Sequence, residues 1–315
     1  MKTYQRLFIF ALLALALTAL LSPWAAAAWA HFIAGRPDWH HHQYSFSRIF
    51  SRFFMISAIG LFIVFRRFLK LGSLKEMGLK PLTHARRDVS LGALLSLASM
   101  AALLAVMSLA DIFTPFFRLS LSASLNRCAS ALLAAAFVSV IEEIFFRGIF
   151  FKGLREDLGR LRGYLWAGLL FAAVHFVRPA NDAVLTEADG WVGFRHLVGS
   201  FHPFLDPGGL IPGLAGLFLI GLVLCYAFER TGTLYLSIGL HAGWIFGLKA
   251  IRVFGDYSRT DLGWIFGSSN PKIVSGVATW IGVIFVGLMV CNLTLRRSRL
   301  TLGQVPASHL MHRIE

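Results

Sequence analysis

The stretch Val138-Ser-Val-Ile-Glu-Glu-Ile-Phe-Phe-Arg-Gly-Ile-Phe-Phe151 sets two adjacent carboxylates and one guanidinium in a run otherwise apolar enough for lipid. On insertion-based scales a charge at the middle of a membrane span costs about 2.5–3.5 kcal/mol, so three cost roughly 8–10 kcal/mol. The twelve Leu, Ile, Val and Phe residues of 128–151 recover about 4–7 kcal/mol at roughly 0.3–0.6 kcal/mol each. Such a helix must turn its polar face toward other helices or a watery cavity.

Helical spacing divides the three groups. Glu143 and Arg147 stand four residues apart with the acid first, the favourable order for an intrahelical ion pair. Glu142 points about 100° away from Glu143, so it falls outside that pair. A carboxylate in a low-dielectric site beside another carboxylate is harder to ionise, which is how general bases are tuned toward neutral pH. The same three groups would serve equally as a buried polar lock between helices.

The rest of the chain fits this setting. It has 315 residues, 57% of them hydrophobic, with a mean hydropathy of +0.67. Apolar runs recur near the length needed to cross a bilayer as a helix. The fold class expected is an all-α polytopic membrane bundle of about eight transmembrane helices, roughly 7–30, 49–69, 89–110, 128–151, 161–178, 209–228, 232–254 and 274–295. It is read as one membrane domain, 1–315, with its core at about 128–254. A net charge of +14 would suggest nucleic acid in a soluble protein. Here it is assigned to the flanks of the spans and to membrane lipid, with no nucleic-acid partner. With the N terminus inside, 19 of the 30 basic residues fall on the cytoplasmic side, which places both termini in the cytoplasm.

The first apolar segment has the basic start and small residues of a cleavable signal, but its apolar run is too long, so a retained helix is expected. His31, His40, His41 and His42 gather in one loop. With Asp38 alone beside them, no set of carboxylate ligands gathers nearby, and they read as incidental residues of a wet interfacial loop. Residues 179–208 form a long loop of the kind that serves as a lid, and "WVGFRHLVGSF" within it suits a helix lying at the interface. Cys128, Cys225 and Cys291 show no paired spacing and are read as free buried thiols.

His175 in "GLLFAAVHFVRP" and His241 in "SIGLHAGWIFGLK" lie in two further spans. Counting along the helices at about 1.5 Å per residue, His241 comes out level with Glu142 and His175 about 7 Å further out. Helix tilt or a shifted boundary absorbs that offset if the three meet inside the bundle. Glu142-Glu143-Ile-Phe-Phe-Arg147 fits EExxxR, Phe171-Ala-Ala-Val-His175 fits FxxxH, and His241 opens a third motif. In that order, on separate spans, they resemble the CPBP family, the CAAX proteases and bacteriocin-processing enzymes. "ERTGTLYLSIGLHAGW" is similar to many bacterial members, and the resemblance covers about 128–254.

The resemblance implies an intramembrane endopeptidase of the bacterial inner membrane, acting on a peptide or protein substrate that is lipidated in the CAAX branch. Glu142 would take the proton from water. His175 would hold that water and pass a proton to the leaving amine. His241 would donate to the oxyanion, where one donor is worth roughly 3–4 kcal/mol. Glu143 and Arg147 would support them.

One position departs from the pattern. The family often has Asn four residues after the third-motif histidine as a second oxyanion donor, and this chain has Ile245. Three readings follow: Trp244 supplies an N–H instead, the oxyanion hole is weaker, or the protein is a non-catalytic relative. Gly243 and Gly247 read as packing glycines.

No cofactor is favoured. Zn2+ held by Glu142, His175 and His241 is the alternative, because three protein ligands and a water make a catalytic zinc site. EExxxR lacks the paired histidines of HExxH, and Glu143 is committed to Arg147. The rival functions are a catalytically inactive membrane scaffold and a proton-coupled transporter using the same Glu/His cluster.

Overall fold

The computed structural model describes residues 1–69, 72–81, 83, 85–177, 189–259, 261–267 and 272–303. It is a mostly helical, polytopic membrane protein. Among the described residues, six helical segments are long and apolar enough to cross a bilayer: Thr3–Ala34, Phe46–Phe65, Ala85–Leu109, Leu121–Leu158, Pro207–Thr231 and Val277–Arg296.

The other two expected spans are shorter helices, Arg160–Val174 with 15 residues and Tyr235–Ala250 with 16. At 1.5 Å per residue they reach about 22 and 24 Å, against a hydrocarbon thickness of about 30 Å. Each of the eight expected segments thus contains a helix, six of them of spanning length among the described residues. Hydropathy had run on through connections that end the helices.

The chain divides into two compact units, 1–72 with 152–214, and 73–151 with 215–315. In the first, α1 (Thr3–Ala34) packs on α2 (Phe46–Phe65) through Ala19, Ala26, Phe46 and Phe50. The interior Pro23 of α1 is a residue that membrane helices tolerate where neighbours satisfy the backbone. Between these helices the Trp29 ring stacks on Tyr44, and His42 Nδ1 lies 3.3 Å from the Tyr44 hydroxyl. The side chains of His40 and His41 lie outside the described residues.

In the second unit, α3 (Ala85–Leu109) leads through strand β1 (Phe113–Pro115) to α4 (Leu121–Glu143). The next eight residues, Ile144–Phe151, wind as a π-helix and pass into α5 (Lys152–Leu158) of the first unit. A π-helix is rare and often marks a functional site. Gly148 fits there because a Cβ would press on the backbone oxygen of Met77 at 2.9 Å.

Returning to the first unit, Gly159, at φ +85°, makes the turn into α6 (Arg160–Val174). The amide of Tyr4 donates to Asp157 Oδ2 at 2.9 Å and ties the start of α1 to α5. Of the expected lid, residues 179–188 lie outside the described residues. The expected interfacial helix is α7 (Val192–Gly199). It packs on α1 closely enough that a Cβ on Gly193 would overlap the Ala19 carbonyl. The His196 ring sits 4.8 and 4.9 Å from the Phe46 and Phe50 rings.

After α8 (Pro207–Thr231), Gly232 at φ +62° reverses the chain into α9 (Tyr235–Ala250). Strand β2 (Gly255–Tyr257) pairs antiparallel with β1, Thr114 opposite Asp256, and the short α10 (Gly263–Phe266) and α11 (Val277–Gly303) follow.

The tightest contact of the second unit is α3 against α9. A Cβ on Gly239 would overlap the Val89 carbonyl, one on Gly243 the Ser96 hydroxyl, and one on Gly247 would press on Met100 at 3.0 Å. These small residues let two backbones approach, as expected for Gly243 and Gly247. That approach fixes the rotation of α9 and therefore the direction of His241.

Candidate active site

Glu143, the last residue of α4, and Arg147, in the π-helix, are both fully buried. Arg147 Nη1 donates to Glu143 Oε1 at 2.8 Å, so the pair read from spacing is present. The Arg147 guanidinium also lies beside the buried Cys225 thiol of α8. From α9, six residues past its start, His241 sends Nδ1 to the same Glu143 oxygen at 2.8 Å. Its other ring nitrogen, Nε2, lies 3.8 Å from Glu142 Oε2. This is too long for a hydrogen bond and within ion-pair range.

The two neighbouring glutamates therefore differ in kind. Glu143 is sealed from solvent, while the Glu142 side chain keeps 28% of its surface exposed. Buried charges persist when paired and hydrogen-bonded, which Arg147 and His241 do for Glu143. Of the expected site residues, the second unit brings Glu142, Glu143, Arg147 and His241 together.

His175 belongs to the first unit. It caps the C-terminal end of α6, its Nδ1 donating to the Phe171 carbonyl at 2.7 Å, with the two rings 4.6 Å apart. That contact gives FxxxH a local physical basis, since residues four apart share a helical face.

The Trp244 reading needs correction. The Trp244 indole N–H donates to Ser99 Oγ on α3 at 3.2 Å, and Ser99 donates onward to the Ser96 carbonyl at 2.7 Å. Close α3–α9 packing directs the ring to that helix. Ile245 has no donor, so neither position offers an N–H to a reacting carbonyl.

Ser237, one turn before His241 on α9, was missed in the sequence. Its hydroxyl borders the Glu143 carboxylate while donating to the Leu234 carbonyl at 2.9 Å. The i−4 spacing from His241 was a signal that could have found it. Nothing in the sequence paired Trp244 with Ser99.

Among the described residues no three His, Cys, Asp or Glu side chains are grouped to hold a metal ion. In the second unit the cluster offers Glu142 and His241 Nε2, against the three protein ligands of a catalytic zinc. His241 Nδ1 and Glu143 are engaged with each other. Cys225 is buried, whereas Cys128 and Cys291 are only half-buried, and among the described residues all three are free thiols.

A polytopic helical membrane protein with a buried Glu/His cluster on its EExxxR helix is the class these observations define. Residues 124–247 match the family described as "Type II CAAX prenyl endopeptidase Rce1-like", and the chain carries a domain of that CPBP family over those residues. The match spans all three motifs, from Glu142 to His241. Membership implies a protease and so a peptide substrate. No curated protein and no solved structure matches the chain.

Proposed function

We propose that the protein is an intramembrane endopeptidase that hydrolyses a peptide bond with a water activated by Glu142. The observation that carries this reading is the contrast within the acidic pair: Glu143 is buried against Arg147 and His241, and Glu142 beside it remains partly exposed. A base that must receive a proton from water needs that exposure. Glu143 and Arg147 hold the surrounding shell, and His241 shares the reaction centre with Glu142.

His175 keeps the role that the order of the motifs gives it, handling the water and the proton of the leaving amine. The reaction is metal-free in this reading, with Glu143 engaged by Arg147 and by His241 Nδ1 rather than offered to an ion. The substrate is a peptide reached from within the bilayer, with prenylated CAAX tails as the class the family suggests. The basic flanks support an inner-membrane protein with both termini in the cytoplasm.

The test compares membrane peptides from cells carrying the protein or its Glu142→Gln variant. Fragments made only by the unaltered protein support the reading, and identical fragment sets defeat it. One observation favours an inactive scaffold instead: neither Trp244 nor Ile245 offers an oxyanion donor. The same comparison separates the two, because a scaffold makes no fragments.

A further inference from the structure

The bond between His241 and Glu143 decides which nitrogen of the imidazole carries hydrogen. Arg147 keeps its charge in any environment, and its partner at 2.8 Å is the carboxylate form of Glu143. An ionised carboxylate only accepts hydrogen bonds. The 2.8 Å contact to His241 Nδ1 therefore requires the hydrogen to sit on Nδ1. In a neutral imidazole the other nitrogen is then a bare acceptor, and here it is Nε2 that faces Glu142.

A second observation points the same way. The α9 positions that would form an oxyanion hole have no N–H to give: His241 Nδ1 is used by Glu143, Trp244 Nε1 by Ser99, and Ile245 has none.

Resting on the endopeptidase reading above, we propose that Glu143, anchored by Arg147, is a positioning residue that locks His241 as its Nδ1–H tautomer, so that His241 meets the attacking water with the Nε2 lone pair. Water has two hydrogens, and Glu142 and His241 Nε2 are two acceptors 3.8 Å apart. One hydrogen directed to each leaves the water's lone pairs free for the carbonyl carbon.

In the addition step the water oxygen bonds to that carbon, and the carbonyl π pair moves onto oxygen. One proton passes to Glu142, and the other stays on the new hydroxyl, held by Nε2. When the C–N bond breaks, the oxyanion pair re-forms the carbonyl and the C–N pair goes to nitrogen, which takes the proton from Glu142 by way of His175. His241 ends with the protons it began with.

The assignment differs from an oxyanion donor in a directly readable way. The full chain, labelled with 15N-histidine in lipid nanodiscs at neutral pH, gives ring-nitrogen resonances assigned by comparison with His241→Asn. The expected spectrum has a protonated Nδ1 and a bare Nε2. A protonated Nε2, alone or together with Nδ1, overturns the proposal.

The kinetic arm uses Glu143→Gln, whose amide can donate to Nδ1 and release the tautomer. Its kcat should fall on the order of 10,000-fold with KM within about twofold, as for a lost orienting carboxylate that leaves the wrong tautomer. An unchanged kcat also overturns the proposal. If the unaltered protein has the expected tautomer but cleaves no membrane peptide, the endopeptidase reading fails, and the tautomer lock stands as a structural feature without the water's role.

Discussion

Nδ1 of His241 lies 2.8 Å from Oε1 of Glu143, the same oxygen that accepts from Arg147, so three helical segments converge on one buried carboxylate oxygen. Ninety-eight positions separate the two residues in sequence. The consequences of that junction can be measured.

Breaking the buried pair from one side should cost far more than removing it whole. Arg147→Ala leaves the Glu143 charge without its partner and should destabilise the protein by about 3–5 kcal/mol. Glu143→Leu combined with Arg147→Met should cost less than Arg147→Ala alone. Thermal unfolding in detergent reads both variants.

The helix seam gives a sharper contrast. Gly239→Leu and Gly243→Leu would drive side chains into Val89 and Ser96 of α3 and should prevent folding. Gly60→Ala and Gly282→Ala meet nothing within 4 Å and should gain about 0.5–1 kcal/mol from helix propensity. Yields of monodisperse protein and melting temperatures check the four together.

How much of this was legible in the sequence varies by feature. The Glu143–Arg147 pair was legible because i,i+4 geometry needs only the chain itself. The convergence of His241 on the acidic pair followed from counting residues along helices. That count could not say which glutamate takes Nδ1, because the choice depends on the rotation of α9 against α3. The π-helix over Ile144–Phe151 was invisible, since "IFFRGIFF" suits an ordinary helix as well. The β1–β2 ribbon was hidden too, because three-residue strands inside loops have no periodicity to read.

Trp244 can be tested as a packing residue. Trp244→Phe removes the hydrogen bond to Ser99 and should cost about 1 kcal/mol of stability. Its kcat should stay within about twofold, whereas loss of an oxyanion donor would lower it on the order of 100- to 1,000-fold. Single-turnover cleavage beside a melting curve separates the two.

Metal removal should leave the reaction unaltered. Cleavage by purified protein should survive chelation with EDTA or phenanthroline, and elemental analysis should find no stoichiometric zinc. Zinc at one equivalent per chain, with activity lost on chelation and restored on adding it back, would replace the glutamate-only mechanism.

The most direct measurement of the central claim is the rate at which purified protein in nanodiscs cleaves one membrane-embedded peptide, with Glu142 intact and as Glu142→Gln. Glu142→Gln should keep its melting temperature and lose activity by on the order of 100- to 10,000-fold, the range for a missing general base. Cleavage at the unaltered rate in that variant would contradict the claim that the carboxylate at position 142 activates the water.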